Sequence, residues 1–182
     1  MSKKKATCTS MVPKSVVRSF MGKEARHVRV KIAADHGDFI PTYKTKGAAC
    51  CDLRANLPPD ILGHKQLTIA PGHTELVDCG FSIQMPSGYE TQIRARSGLA
   101  AKGIIVTNAT DEEEGGTIDD DYRGRIKVIL TNVGKQIVTL THMDRIAQMS
   151  IRPVWYFDFL PVKQLDSDTE RDTQGFGSTG VQ

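Results

Sequence analysis

Apolar and polar residues alternate along several short stretches of the chain. In "HVRVKIA" Val28, Val30 and Ile32 alternate with Arg29 and Lys31. In "VDCGFSIQM" Val77, Cys79, Phe81, Ile83 and Met85 alternate with Asp78, Gly80, Ser82 and Gln84. The same period of two runs through "YETQIRAR" (Tyr89, Thr91, Ile93, Ala95), "RIKVIL" (Ile126, Val128, Leu130) and "AQMSI" (Ala147, Met149, Ile151). Side chains of a strand point to opposite faces in turn, so each stretch predicts a strand with one buried face.

Turn signals separate the strands: "APG" at Ala70 to Gly72, "PSG" at Pro86 to Gly88 and "NVG" at Asn132 to Gly134. Short strands broken at this spacing predict an all-β fold, a jelly-roll-like sandwich or barrel. One short helix interrupts the pattern. Ser97 is its expected cap, "SGLAAK" gives about two turns, and Gly103 stands where it would stop.

Composition narrows the class. The chain has 182 residues, enough for one domain with a sizeable core, and 39% hydrophobic residues fit a globular protein. Cys8, Cys50, Cys51 and Cys79 form no C-x-x-C pair, so neither a disulfide framework nor a zinc site is expected. No apolar run reaches membrane-spanning length. An intracellular and by default cytoplasmic protein with no membrane partner follows.

Charge divides the chain. Lys3, Lys4, Lys5, Lys14, Arg18, Lys23 and Arg26 face the single acid Glu24, so residues 1–26 carry +6 of a chain whose net charge is +3. This extension reads as a solvated tail, with an organelle-targeting peptide or a nucleic-acid contact as alternatives. The expected organisation is the extension at 1–26, a β core at 27–165 and a mobile C-terminal arm at 166–182.

Three stretches carry candidate chemistry. Arg94 and Arg96 lie on the polar side of their strand just before the helix start, where guanidinium groups, Ser97 and main-chain N–H groups would converge on an anion. The alternative is an arginine-bearing strand face with an ordinary cap. "GTIDDDYRG" crowds Asp119, Asp120 and Asp121, whose mutual repulsion calls for a cation, a positioned water or a turn to offset it. "RDTQGFGSTG" sets Arg171 and the large apolar Phe176 in a Gly-rich tail suited to phosphate oxygens, where a plain disordered terminus is the alternative.

Together "CDLRA" (Cys51 to Ala55), "RSGLA" (Arg96 to Ala100), "GTIDDDYRG" (Gly116 to Gly124), "DRIAQM" (Asp144 to Met149) and "GFGSTG" (Gly175 to Gly180) resemble the five ordered motifs of the homotrimeric dUTPases. Five motifs in order are far more specific than any one of them. The resemblance spans roughly residues 28 to 180 and implies a jelly roll, a homotrimer with active sites at subunit interfaces, and magnesium-dependent hydrolysis of dUTP to dUMP and pyrophosphate. That activity limits uracil incorporation into DNA and supplies dUMP for thymidylate synthesis.

The resemblance also implies roles for residues. Asp119 matches the general base, with Asp121 supporting it or holding Arg123 and Asp120 facing solvent. Tyr122 matches the aromatic residue under deoxyribose. Thr117 and Ile118 fall on the substrate side of the same hairpin, and Asn108 resembles the asparagine that assists uracil binding. Asp52 matches the carboxylate that holds magnesium through water. Arg96, Ser97, Gly98 and Gln148 would bind the phosphate chain, while Arg171, Phe176, Gly177 and Ser178 would close over the nucleotide.

Departures and rivals complete the reading. "ATDEEEGGTI" is about five residues longer than usual for the family and puts Asp111 to Glu114 beside the uracil hairpin, where they read as a solvated loop. Cys50, Met143, Asp172 and Gln174 stand at family glycines. The related dCTP deaminases carry a catalytic glutamate on the strand after the hairpin, near Ile129 here, so that chemistry lacks its base. A dUTPase-like binding or regulatory protein is the remaining alternative.

Overall fold

The computed structural model describes residues 19–20, 23–24, 28–107 and 117–166. Asn108, the acidic insertion Asp111 to Glu114, and Arg171, Phe176, Gly177 and Ser178 lie outside them, as does most of the basic extension. Within that extension β1 (Ser19–Phe20) pairs antiparallel with β2 (Lys23–Glu24).

The described fold is a jelly-roll-like arrangement of antiparallel sheets with one short helix. The first sheet contains β3 (Lys31–Ala34), β6 (Thr74–Gln84), β10 (Arg125–Asn132) and β8 (Ile104–Val106), in that order. The second contains β4 (Cys51–Arg54), β12 (Arg145–Pro153), β7 (Tyr89–Ala95) and β9 (Thr117–Ile118). A smaller pair joins β5 (Gln66–Ile69) to β11 (Val138–Thr141).

Alternation in the sequence explains what the sheets bury. Val77, Cys79, Phe81 and Ile83 of β6 and Ile126, Val128 and Leu130 of β10 share one apolar cluster with Leu53, Ile93, Ala147 and Met149 of the second sheet. Each fully buried aliphatic side chain contributes about 1.5–3 kcal/mol relative to exposure. Thr91 also points inward at 0% exposure, and its hydroxyl donates to the Met85 sulfur at 2.8 Å. A polar residue at an inward position is therefore satisfied rather than displaced.

The edges depart from expectation. β3 begins at Lys31, and Val28 stays 38% exposed, because pairing with β6 covers only Lys31 to Ala34. The helix α1 (Ser97–Ala100) is a single turn, and Arg96 with extended backbone is its cap residue. Ser97 is thus the first helical residue, and no side chain caps the turn. Gly103 does end it: its φ is 86°, and an added Cβ would fall 2.5 Å from the Gly134 Cα. The "NVG" turn and the helix stop are packed backbone to backbone.

Met143 adopts a left-handed φ of 71°, the conformation for which a glycine is the usual choice. It sits in the turn before β12, where its N–H donates to Ala55 O at 2.9 Å and its carbonyl accepts from Arg54 Nη1 at 2.8 Å. Those bonds fix where β12 starts against β4.

Candidate active site

The register of the second sheet gathers the anion-binding candidates. Gln148 on β12 is opposite Asp52 on β4 and opposite Arg94 on β7. Asp52 lies between two guanidinium groups, with Oδ1 3.1 Å from Arg96 Nε and Oδ2 3.1 Å from Arg145 Nη1. Arg96 also donates from Nη1 to the Arg145 carbonyl at 3.0 Å. Gln148 donates from Nε2 to Ala95 O at 3.1 Å, and among the described residues nothing donates to its amide oxygen.

Two arginines share one carboxylate here, so the cluster keeps excess positive charge while Asp52 holds both forks in place. Beside it, Arg96, Gly98, Leu99, Lys102 and Arg145 line a cavity of about 360 Å³. Arg145 belongs to the quoted motif "DRIAQM", yet sequence reasoning gave it no role; its partner is distant in the chain. Arg94 does not join the cluster as expected. It is exposed and donates to Gln92 Oε1 at 3.1 Å, along its own strand face. Cys51 next to Asp52 is inert as a nucleophile, because burial pushes its thiol up to about 11.

The second group of candidates is the turn after β9. Thr117 is exposed and Ile118 buried, paired with Gln92 and Thr91 of β7. Asp119 is exposed, and its carboxylate has no hydrogen-bond or ion-pair partner among the described residues. Its carbonyl accepts from Tyr122 N at 3.3 Å, closing the turn.

Asp120 does not face solvent as expected. It is half-buried and accepts from Gly88 N at 2.6 Å, tying the aspartate turn to the "PSG" turn. Nor does Asp121 hold Arg123, whose Nη1 donates to the carbonyls of Asp120 and Tyr122 at 2.6 and 2.8 Å. Main-chain oxygens fit the guanidinium because the turn curls around it. Of the crowded acids, Asp120 is locked, while Asp119 and Asp121 are both exposed.

Tyr122 is fixed from beneath. Its hydroxyl donates to Arg125 O at 3.0 Å, and a Cβ on Gly124 would fall 2.5 Å from Tyr122 Cζ. Only a glycine permits that ring position.

These two groups sit at opposite ends of β7. Ile118 pairs with Thr91, so Asp119 continues toward Glu90, whereas Arg96 follows the far end of the strand. The stretch from Glu90 to Arg96 covers about 20 Å at the antiparallel rise of ~3.4 Å per residue. Within one chain the two groups are too far apart to contact the same small chemical group.

The donor set fits a magnesium ion carried mainly by phosphate oxygens and water. Asp52 is a lone carboxylate already engaged by two arginines, and the described residues contain no cluster of three or more His, Cys, Asp or Glu able to hold a metal. Magnesium characteristically keeps several waters and takes one or two carboxylates beside substrate phosphates.

Comparison with known proteins identifies the family. A deoxyuridine 5'-triphosphate nucleotidohydrolase of Dinoroseobacter shibae is 49% identical over 148 residues, covering 81% of this chain and 91% of that protein. The enzyme of the same name from Ehrlichia canis is 46% identical over 144 residues, covering 78% and 87%. The solved dUTPase of Staphylococcus bacteriophage 80alpha with dUPNHPP superposes with a TM-score of 0.69 at 20% identity, over 84% of this chain and 99% of that one. A mutant dUTPase from phage phi11 of S. aureus, described as coordinating a structural Mg(II) ion, gives 0.62 at 16% identity over 76% and 99%. The family model for dUTPase matches residues 39–180, and with these relatives it shows that the chain belongs to the dUTPase family.

Proposed function

We propose that this chain hydrolyses dUTP to dUMP and pyrophosphate in a homotrimer whose active sites lie between subunits. The observation that carries the assembly is the separation along β7: Asp119 and Tyr122 at one end, and Asp52, Arg96, Arg145 and Gln148 at the other, are complementary halves of one site about 20 Å apart. Only a second copy brings a phosphate half to a hairpin half. The extended segment after β12 supports association, since Trp155, Tyr156, Phe157, Phe159, Leu160 and Leu165 are all exposed.

In this reading the hairpin of one subunit holds the nucleoside. Uracil bonds to main-chain groups near Thr117 and Ile118, aided by Asn108, and deoxyribose rests on Tyr122. A ribose 2′-hydroxyl would meet a ring that Gly124 and the Arg125 carbonyl hold still. Cytosine would face donor to donor, and an unsatisfied buried polar group costs ~1–3 kcal/mol.

The neighbouring subunit holds the triphosphate through Arg96, Gln148 and the main-chain N–H groups of Ser97 and Gly98, which open α1 and have no carbonyl one turn earlier. Asp119 takes a proton from water as the water oxygen bonds to the α-phosphorus. The bond from that phosphorus to the bridging oxygen breaks, and pyrophosphate leaves with the electron pair. Asp52 would hold magnesium through water, and the bound ion would neutralise charge on the phosphates.

Arg171, Phe176, Gly177 and Ser178 complete the site by covering the bound nucleotide and excluding bulk water. Removal of residues 171–182 is expected to leave melting nearly unchanged and to depress turnover strongly; unchanged turnover would remove the arm from the mechanism.

A pyrophosphate-release assay with dUTP, dCTP, dTTP and UTP tests the assignment. Efficient turnover of dUTP alone is expected. Comparable hydrolysis of dCTP, or ammonia release from it, would overturn the assignment. Ile129, buried at 7% exposure on β10, leaves that deamination without the glutamate it needs.

A further inference from the structure

Arg125 is the centre of the densest side-chain network among the described residues. It opens β10, and its guanidinium meets Asp35 at the end of β3 through Nη1 and Nη2, both at 2.6 Å. It meets Asp78 of β6 through Nε at 3.2 Å and Nη2 at 2.6 Å. Asn56, in the segment after β4, donates to both carboxylates, at 3.2 Å to Asp35 and 2.9 Å to Asp78. One planar fork is therefore clamped on two edges by groups from separate strands.

The network does little for stability that a simpler surface would not do. Arg125 keeps 37% of its side chain exposed and Asp35 keeps 49%, and ion pairs this open to solvent contribute little. What a doubly bidentate arrangement supplies is position. It acts where β10 needs fixing, since the pairing of β10 with β6 is irregular between Arg125 and Lys127.

The same residue holds the tyrosine. Arg125 presents its carbonyl to the Tyr122 hydroxyl at 3.0 Å, and only Arg123 and Gly124 separate Tyr122 from the clamped arginine. Any shift of Arg125 displaces the acceptor that sets the height of the ring.

We infer that Arg125, clamped by Asp35, Asp78 and Asn56, is a positioning residue that holds Tyr122 and thereby sets discrimination between deoxyribonucleoside and ribonucleoside triphosphates. The inference rests on the reading of Tyr122 as the surface under deoxyribose. It assigns sugar selectivity to a network on three other segments of the chain, outside the residues proposed to bind nucleotide.

The test measures kcat and KM for dUTP and UTP in the wild type, Arg125→Met, Arg125→Lys and Asp35→Asn, alone and on a Tyr122→Phe background. Arg125→Met is expected to lower the dUTP-over-UTP ratio of kcat/KM about tenfold, within the ~10² that a site can extract from rejecting one hydroxyl. Arg125→Lys should follow it, because a lysine keeps the charge and loses the fork. Asp35→Asn should give a smaller loss of the same kind and covers the case in which Arg125→Met fails to fold.

On the Tyr122→Phe background the hydroxyl link is already cut, so the further effect of Arg125→Met on the ratio should vanish. A wild-type ratio in folded Arg125→Met or Asp35→Asn, or an undiminished effect in the Tyr122→Phe background, overturns the inference. A wild type that turns over UTP as well as dUTP overturns instead the role of Tyr122 on which it rests.

Discussion

The Asp120 carboxylate accepts the Gly88 N–H at 2.6 Å, joining the turn after β9 to the turn between β6 and β7. This bond accounts for the middle of the three crowded aspartates. The Arg123 guanidinium, donating to the Asp120 and Tyr122 carbonyls, brings positive charge into the same turn. Asp119 and Asp121 remain exposed, and of these only Asp119 stands directly after the paired residues of β9.

Asp120→Ala should therefore act on both stability and turnover. Loss of a half-buried, charge-assisted hydrogen bond is expected to cost about 1–3 kcal/mol in urea unfolding. Turnover should fall as well, since Asp119 is its neighbour in a turn that has lost its tether. Asp121→Ala, with an exposed side chain, should leave the unfolding midpoint unchanged. Equal unfolding curves for the two variants would show that the Gly88 bond does not hold the turn.

Long alternating stretches were legible because a period of two repeats often enough to be recognised: β6, β7, β10 and β12 lie where the pattern puts them. β5, β8, β9 and β11 are two to four residues long and leave no such trace. Candidate site residues were identifiable where a motif surrounds them, as with Asp52, Arg96 and Asp119. Asp120 and Arg145 were not, because their roles depend on contacts with Gly88 and Asp52, and no local pattern encodes a partner 93 residues away. Ser97 was misplaced by one position: the extended backbone of β7 runs through Arg96, so the arginine occupies the cap.

Met143 tests the cost of a side chain in a left-handed turn. At φ 71° the residue bears about 1–2 kcal/mol of strain, which its partial packing on the core offsets. Met143→Gly should shift stability by less than ~1 kcal/mol, since relief of strain opposes lost packing and the added freedom of the unfolded chain. Met143→Val should destabilise by several kcal/mol, because a β-branched residue is a severe outlier at this φ. Urea midpoints rank the variants, and equal values for Gly and Val would mean that the turn relaxes out of the left-handed region.

The Arg125 network gives a pH signature. Hydrogen bonds from Arg125 hold the Asp35 carboxyl below its ordinary value. Burial raises Asp78, but hydrogen bonds from Arg125, Asn56 and the Gly80 N–H together outweigh it and leave this carboxyl low as well. A carboxyl depressed in the folded state stabilises above its unfolded pKa of ~3.9 and loses that contribution as pH falls through the folded value. The stability gap between wild type and Arg125→Met, small because these pairs are open to solvent, should thus be constant from neutral pH to about 5 and narrow as pH falls below about 4. A gap that does not narrow at all as pH falls below ~3.9 would place the effect in packing by the arginine stem.

Site sharing between subunits makes a prediction that neither half can make alone. Asp119→Asn keeps the shape of the residue but cannot take a proton, so turnover should fall on the order of 10²–10⁴ while nucleotide binding persists. Arg96→Ala removes one of the two guanidinium groups around Asp52 and should weaken phosphate binding and turnover. If each site joins the hairpin of one subunit to the phosphate cluster of another, a mixed trimer contains a site with both halves intact: Asp119 from the Arg96→Ala chain and Arg96 from the Asp119→Asn chain. Unfolding the two variants together and refolding them should restore activity to a sizeable fraction of wild type, whereas each refolded alone stays low. Differently tagged chains allow isolation of the mixed species, so recovery can be scored per mixed trimer. If the isolated mixed trimers are no more active than their parents, both halves must work within one chain, and the separation along β7 would have to close by a rearrangement of β9 instead of by assembly.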